Sequence, residues 1–283
     1  MQPLVSIYLP THNRADLLVR AARSVLAQTY QNFELLIVDD GSTDGTPEII
    51  WHLAKSDRRI RALRQSETRG APAARNLAIR ESKGHLVTGI DDDDEMMPER
   101  LAVLVSAFDE KYSLVCSGFI RKTRASTRTL ANSRMTITLD DQLMRNHVGN
   151  AALTLRTRLL EAGLFDESMP AWQDYDLWTR LIAKFGAALR IPTADHIVHL
   201  DHDSPRISRR TLEGAQRFLT KHASLMSEKH ARSQQLEMFM LEARRMTSTD
   251  LFRLGKYPNW SRAVRYFVTS NASWLRDLRD KIS

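Results

Sequence analysis

The 283-residue chain has one cysteine, Cys116. It therefore forms no internal disulfide, and a lone cysteine without an obvious partner reads as a small core hydrophobe rather than a nucleophile. Aromatics are only 7% of residues, with 11 Gly and 9 Pro and neither repeat nor low-complexity segment, which excludes a fibrous or disordered chain. No apolar run approaches the roughly 18 residues that a membrane-spanning helix needs. Met1 to Pro10 lacks the basic start and long apolar stretch of a secretory signal. Together these absences fit a protein of the reducing cytoplasm. What is present, 42% apolar and 27% charged residues, suffices for one large domain or two small ones with a buried core.

Charge is unevenly spread. The chain carries 41 Lys+Arg against 34 Asp+Glu, but residues 204–283 alone hold 16 basic and 7 acidic residues, leaving 25 against 27 upstream. A basic tail on a near-neutral body argues against a nucleic-acid-binding body. It suits either an anionic partner for the tail, such as a membrane surface, or a solvated basic face. Composition leaves both open.

Short apolar runs alternate with helical periodicity. Leu4–Leu9 and Phe33–Val38 read as buried strands, Ile60–Leu63 as a weaker one, and His85–Ile90 as a fourth. Between them lie a helix carrying Leu17, Leu18, Ala21, Ala22, Val25 and Leu26, which Asn13 can cap, a second helix opened by Thr46 and Pro47, and a third over Ala71–Ser82. This alternation predicts an α/β fold with a parallel, doubly wound sheet, whose ligands sit beyond the carboxyl ends of the strands. Further strands are expected at Leu114–Ile120, Ala188–Ile191 and His196–Leu200, and helices at Pro98–Glu110 and from Gln173 to Phe185. Arg121–Arg134, with five basic and three apolar residues, reads as an exposed hairpin or loop. Beyond Ser208 the pattern is nearly all helical, giving a first domain over 1–208 and a helical basic region over 209–283.

Two acidic clusters fall at strand ends: Asp39-Asp40 after the second strand and Asp91-Asp92-Asp93-Asp94 after the fourth. Four adjacent carboxylates repel one another unless a cation or a cage of hydrogen bonds offsets them. Oxygen ligands alone imply a hard divalent ion, Mg²⁺ or Mn²⁺, with positions open to phosphate oxygens. The plainer alternative is a solvated acidic turn.

Val5-Ser-Ile-Tyr-Leu-Pro-Thr-His-Asn-Arg14, Ser24–Tyr30, Phe33–Thr46 with Asp39-Asp40-Gly41-Ser42, Gly70–Asn76 ending Ala74-Arg75-Asn76, and Ile90–Pro98 occur in the order of the motifs of family 2 glycosyltransferases, which this chain resembles over residues 4–208. The resemblance implies a GT-A nucleotide-sugar fold. It implies that Thr11, Asn13, Asp39 and Asp40 match or flank the loops holding base and ribose, with Arg75, Asp91 and Asp92 also near the nucleotide. Asp93 matches the carboxylate that holds Mn²⁺ or Mg²⁺ against the donor phosphates. Asp174 matches the base that takes the acceptor hydroxyl's proton in a single inverting displacement, although Gln173 stands where the family usually has Glu. Its plain alternative is helix capping. His202, in His202-Asp203-Ser204-Pro205-Arg206-Ile207-Ser208, resembles a histidine that completes the metal shell, with His199 as its rival. Arg206 is a phosphate contact by the same reasoning, and Trp172 either stacks on a sugar or packs on the sheet.

The tail carries Trp260, Ala263, Val264, Phe267, Trp274, Leu275 and Leu278 at helical spacing among Arg262, Arg265, Arg276 and Arg279. Such a stripe packs within its own protein, pairs two copies into a homo-oligomer, or lies on anionic lipid. The expected activity is thus transfer of a hexose or N-acetylhexosamine from a UDP-sugar to a saccharide or lipid-linked oligosaccharide of surface-polysaccharide type, in the cytoplasm or on the inner face of the membrane. Two other classes are a non-catalytic nucleotide-sugar or glycan-binding module and a Mg²⁺-dependent phosphoryl-transfer enzyme. The second leaves Pro10–Arg14 and Asp174 without a role.

Overall fold

In the computed structural model, which describes residues 2–200, 208–242, 244–256 and 259–272, the chain runs β1 (Val5–Thr11), α1 (Ala15–Leu26), β2 (Phe33–Asp39), α2 (Thr46–Ser56), β3 (Ile60–Arg64), α3 (Ala71–Glu81) and β4 (Leu86–Gly89). It continues through β5 (Glu95–Met96), α4 (Arg100–Ala107), β6 (Val115–Lys122), β7 (Thr127–Leu130), β8 (Met135–Ile137), α5 (Leu139–Met144), β9 (Thr154–Leu155), α6 (Arg156–Glu161), α7 (Gln173–Phe185) and β10 (Ala188–His199). The described residues beyond form α8 (Ser208–Lys221), α9 (Glu228–Leu241), α10 (Ser248–Leu254) and α11 (Trp260–Ser270).

Every residue of β1 and β2 is buried, as their unbroken apolar runs require of strands covered on both faces. The period of two then divides β1 between two cores. Val5, Ile7 and Leu9 pack with Leu18, Ala22 and Val25 of α1 and Leu101 and Leu104 of α4. Tyr8 turns the other way, into a cluster with Ala74 and Ala78 of α3 and Leu177, Trp178 and Leu181 of α7.

The first sheet has the order β3-β2-β1-β4-β9. Its first four strands are parallel, and β9 closes the edge antiparallel to β4. The register aligns Thr11 with Asp39 and Asp39 with Arg64, so three polar side chains end neighbouring strands at one sheet edge. The strand order reverses at β1, which opens a crevice beyond the ends of β1 and β4.

One doubly wound sheet was the expectation, and a second sheet is the difference. Its order is β5-β10-β6-β7, with β8 also paired to β10. The two expected last strands are one twelve-residue strand, β10, whose register against β6 shifts between Arg190 and His196. Arg121–Arg134 contributes β7, which folds back on β6 as a hairpin. Cys116 is buried, and burial pushes its thiol up to about 12, in keeping with a core hydrophobe.

The chain divides into two compact units. The first comprises the described residues of Met1–Leu139, His147–Ser168 and Gln173–Ser204 and contains both sheets. The second comprises those of Asp140–Asn146, Met169–Trp172 and Pro205–Ser283. It therefore recruits two short upstream segments that a linear boundary at residue 208 leaves out. Asp140 accepts hydrogen bonds from Lys229 and pairs with His230, and the Gln234 amide donates to the Leu143 carbonyl. In the same unit Leu236, Phe239, Met246, Leu254 and Ala263 form a core on which Phe267 packs, so this part of the tail stripe packs internally, while Trp260 and Val268 stay exposed. Trp274, Leu275, Leu278, Arg276 and Arg279 lie outside the described residues. No described helix is long and apolar enough to cross a membrane.

Gly89 sits opposite Tyr8 in the β1–β4 register, and a Cβ there would lie 1.9 Å from the tyrosine ring. Gly89→Ala must displace a buried ring, at a cost of roughly 1–3 kcal/mol. Thermal denaturation should show Tm lowered by several degrees; an unchanged Tm would contradict the packing described.

Candidate functional site

The edge formed by the ends of β1, β2 and β4 gathers most of the sequence-predicted residues. The loop after β1 is stitched to the loop after β2. The Asp40 amide donates to the Thr11 carbonyl at 2.9 Å, the Asn13 amide to the Ser42 hydroxyl at 2.9 Å, and the Thr43 amide to Asn13 Oδ1 at 2.8 Å. Asn13 has a φ of +51°, in the left-handed region that asparagine tolerates better than most residues. Its side chain serves the neighbouring loop. The expected capping of α1 is not seen: Arg14 is the N-cap residue and makes no side-chain cap bond.

Asp39 and Asp40 diverge. Asp39 Oδ1 accepts the Ser42 amide at 2.8 Å, and its Oδ2 lies 3.3 Å from Arg64 Nε across the strand ends. The Asp40 carboxylate takes the Gln65 side-chain amide and the backbone N–H groups of Arg69 (2.8 Å) and Gly70 (2.7 Å). It thereby shapes the turn that leads into α3. In this structure both of its oxygens serve the scaffold.

The four-aspartate run is resolved into separate partnerships, which is how its mutual repulsion is offset. Asp91 Oδ1 accepts from Arg75 Nη2 at 2.7 Å. Asp92 Oδ2 accepts from the Thr11 hydroxyl at 2.7 Å, and its Oδ1 from Arg14 Nη1 at 2.9 Å. Asp93 Oδ2 accepts from the same Arg14 nitrogen at 2.8 Å. Asp94 turns away, pairing with His196 Nε2 at 2.8 Å and accepting the His199 amide at 3.2 Å. Burial works to raise Asp91, but Arg75, helped by His196 and Arg14, outweighs it and holds the carboxyl below the usual range. Burial pushes Asp92 up to about 6 against the pull of Arg14 and Thr11, and raises Asp94 as well.

Arg75 is the hub. It lies on α3, which is buried on several faces, and its side chain is 7% exposed. One terminal nitrogen holds Asp91, and the other lies 3.7 Å from Asp174 Oδ1. The guanidinium rests 5.2 Å from the centre of the Phe165 ring, a cation–π contact. That ring is held edge-on between Tyr8 and Trp178. The next residue completes the support. Asn76 donates to the Phe165 carbonyl and accepts the Phe165 amide, both at 2.9 Å, so Ala74-Arg75-Asn76 fixes both the cation and the ring beneath it.

Asp174 sits in the first turn of α7, 20% exposed. Its Oδ1 is buried without a hydrogen bond, while the opposing carboxylate, Asp176, pairs with Arg180 at 2.7 Å and so ties the helix to the carbonyls of Ala162 and Leu164. Burial pushes Asp174 up to about 6; Arg75 pulls it down and Asp91 pushes it further up. A carboxylate with one unsatisfied oxygen and a pKa near neutrality has the properties of a proton acceptor.

Four expected residues are not gathered at this edge. Trp172 belongs to the second unit, where its ring meets Phe218 edge-on at 5.7 Å. His199 Nε2 lies 2.6 Å from Glu95 Oε1, which leaves the ring serving the acidic segment itself. His202 and Arg206 lie outside the described residues. Among the described residues no three His, Cys, Asp or Glu side chains converge as a metal shell. The donor set nonetheless fits a hard ion that takes one or two carboxylates and completes its shell with phosphate oxygens, as Mg²⁺ commonly does.

Sequence reasoning missed Arg14, Arg100 and His196. Arg100 is fully buried and pairs with Asp195 and the Ser117 hydroxyl, beside a cavity of about 70 Å³ that His196 and Asn150 also line. Arg100 Nε and His196 Nδ1 are buried without hydrogen-bond partners. Arg14 was legible as part of Thr11-His12-Asn13-Arg14, but nothing local signals that its side chain reaches residues 78 and 79 positions away.

Residues 6–165 match the family model Glycosyl transferase family 2. Over 270 residues the chain is 34% identical to WcaA of Escherichia coli (strain K12), a glycosyl transferase named for colanic acid biosynthesis, with 92% of this chain and 96% of that protein covered. Its fold is similar to that of S. aureus TarS 1-349 in complex with UDP-GlcNAc, with a TM-score of 0.68 and 16% identity over 94% of this chain and 81% of that one. It is also similar to the mannosyltransferase PcManGT from Pyrobaculum calidifontis in complex with GDP-Man and Mn²⁺, with a TM-score of 0.62 and 21% identity over 96% and 75% of the two chains. The mixed α/β architecture is the GT-A fold, and with the family match over more than half its length the chain belongs to glycosyltransferase family 2 and is a glycosyltransferase.

Proposed function

We propose that this glycosyltransferase is inverting and divalent-cation-dependent, and that it moves a hexose or N-acetylhexosamine from a UDP-sugar to a saccharide acceptor in surface-polysaccharide synthesis. The observation that carries the reading is the shared guanidinium: Arg75 joins Asp91, on the donor side, to Asp174, which among the described residues combines a buried, unsatisfied carboxylate oxygen with a pKa near neutrality. A proton acceptor in fixed relation to the donor site is what a single displacement at the anomeric carbon needs.

In this reading Asp174 takes the proton of the attacking hydroxyl, and Arg75 keeps it ionised near pH 7 despite its burial. Thr11, Asn13, Asp39 and Asp92 line the nucleotide end, with Asp40 shaping the turn behind them. Asp93 holds Mn²⁺ or Mg²⁺, with His202 as a second ligand and Arg206 on the phosphates. When bound, the cation would neutralise charge on the departing diphosphate. Support for a metal and for nucleotide-sugar donors comes from the ligands of the two similar structures, which differ in nucleotide, UDP in one and GDP in the other. Uracil follows the family resemblance. WcaA's name supports a polysaccharide acceptor; its lipid-linked form, and membrane contact or self-association through the basic second unit, extend the same reading. Domain roles follow the two units, catalysis in the first and acceptor or partner contacts in the second.

Two experiments test it. Asp174→Asn should cut turnover by about 10²-fold or more with UDP binding nearly unchanged. It should also stabilise the fold at neutral pH. A carboxyl whose folded pKa, about 6, exceeds its ordinary value of 3.8 binds its proton more tightly when folded, so it costs stability progressively from about pH 4 and fully above pH 6. The variant should therefore gain about 1–3 kcal/mol at pH 7.5 and nothing at pH 4. A near-normal rate, or no gain in stability, contradicts the assignment. Separately, UDP with Mn²⁺ at about 100 times its dissociation constant should stabilise the wild type by about 2.7 kcal/mol, and Asp93→Ala should abolish the metal-dependent part. No shift with UDP, GDP or CMP would overturn the donor site.

A further inference from the structure

The contacts of Arg14 carry an inference about how the cation is admitted. One nitrogen, Nη1, reaches Asp92 Oδ1 at 2.9 Å and Asp93 Oδ2 at 2.8 Å. A single guanidinium nitrogen bridging the oxygens of two adjacent carboxylates brings positive charge to the place a small cation would take. The two carboxylates are 7% and 20% exposed, whereas the Arg14 side chain is 36% exposed. The bridging charge is thus the most solvent-accessible partner of the three.

The backbone of Arg14 is fixed. Its amide donates to the Thr46 hydroxyl at 3.2 Å, and its carbonyl accepts the amides of Leu17 and Leu18 at 3.1 and 3.0 Å at the start of α1. The side chain can therefore leave the carboxylates by rotating about its own bonds without disturbing the loop. Its charge raises no difficulty, because a guanidinium stays protonated and Asp92 and Asp93 hold it more firmly so.

We propose that Arg14 is a resident counter-cation: it holds the seat at Asp92 and Asp93 until a nucleoside diphosphate arrives, and only then yields it to the divalent ion. This rests on the donor-site reading above. A divalent ion entering alone must compete with Arg14 for the two carboxylates and strip the guanidinium of counter-charge. A diphosphate entering with it supplies that counter-charge, since guanidinium groups match phosphate oxygens well. Nucleotide and metal then strengthen each other's binding, and by linkage the coupling is reciprocal. The arrangement keeps the acidic segment neutralised between turnovers and discourages uptake of free metal.

The test is Mn²⁺ binding, by titration calorimetry and by the electron paramagnetic resonance signal of free Mn²⁺, with and without UDP. Wild type, Arg14→Gln and Arg14→Lys are compared, with Asp93→Asn as control and circular dichroism to establish that each is folded. In wild type, UDP should raise Mn²⁺ affinity at least tenfold. In Arg14→Gln, Mn²⁺ alone should bind about tenfold more tightly than in wild type, and the enhancement by UDP should shrink to a few-fold. Arg14→Lys, which keeps the charge, should stay near wild type and guards against a loss caused by misfolding of the neutral variant. If Arg14→Gln binds Mn²⁺ alone no better than wild type and keeps the full UDP enhancement, the inference is overturned while the donor site stands. If wild type takes up no Mn²⁺ even with UDP, and Asp93→Asn changes nothing, the donor-site reading itself fails and this inference with it.

Discussion

The buried guanidinium of Arg75 is the constraint around which the site is built. An arginine almost withdrawn from water needs counter-charges, and it has Asp91 from the end of β4 and Asp174 from the start of α7. Those two residues are 83 positions apart, and one cation fixes them in a common frame. Without it both carboxylates would lose their shared counter-charge while still partly buried. The aromatic stack of Tyr8, Phe165 and Trp178 provides the floor, and Asn76 locks Phe165 from the adjacent position on α3. Breaking the stack would therefore reach the chemistry through the cation.

The acidic run illustrates a second use of paired charge. Asp91, Asp92, Asp93 and Asp94 follow one another in the chain yet face different partners: Arg75, Thr11 with Arg14, Arg14 again, and His196. Asp94 anchors the second sheet to the edge of the first, through the same β10 strand whose residues 196 and 197 pair with β5. The run is thus both the edge of the proposed donor site and a structural joint, and its aspartates divide these tasks between them. Asp39 and Asp40 divide similarly, the second binding the turn before α3.

Much of this was legible in the sequence, for identifiable reasons. The parallel sheet could be read because buried strands are continuous apolar runs, and the carboxyl-end location of the acidic clusters follows directly once those strands are drawn. Asp174 stood out through the family resemblance; the helix pattern by itself offered only a cap. The second sheet was not legible as such, because its strands β5 and β8 have only two or three residues each and carry no periodicity. Nor was the capture of residues 140–146 and 169–172 by the second unit, which depends on contacts such as those of Asp140 with Lys229 and His230. Asn13 misled because an asparagine just before a helix is a common cap, whereas here a left-handed backbone turns its side chain toward Thr43. Arg14, Arg100 and His196 escaped because their roles are set by partners far away in sequence.

The central claim is that Arg75 holds Asp174 poised as a base, and the most direct measurement is the titration of the Asp174 carboxyl itself. Selective carbon-13 labelling of aspartate, with the resonance assigned through Asp174→Asn, allows its midpoint to be followed by NMR in wild type and in Arg75→Gln. The account predicts a midpoint near 6 in wild type and a higher one once the guanidinium is gone, because burial then acts unopposed by Arg75. A wild-type midpoint near 4, unmoved by Arg75→Gln, would contradict it.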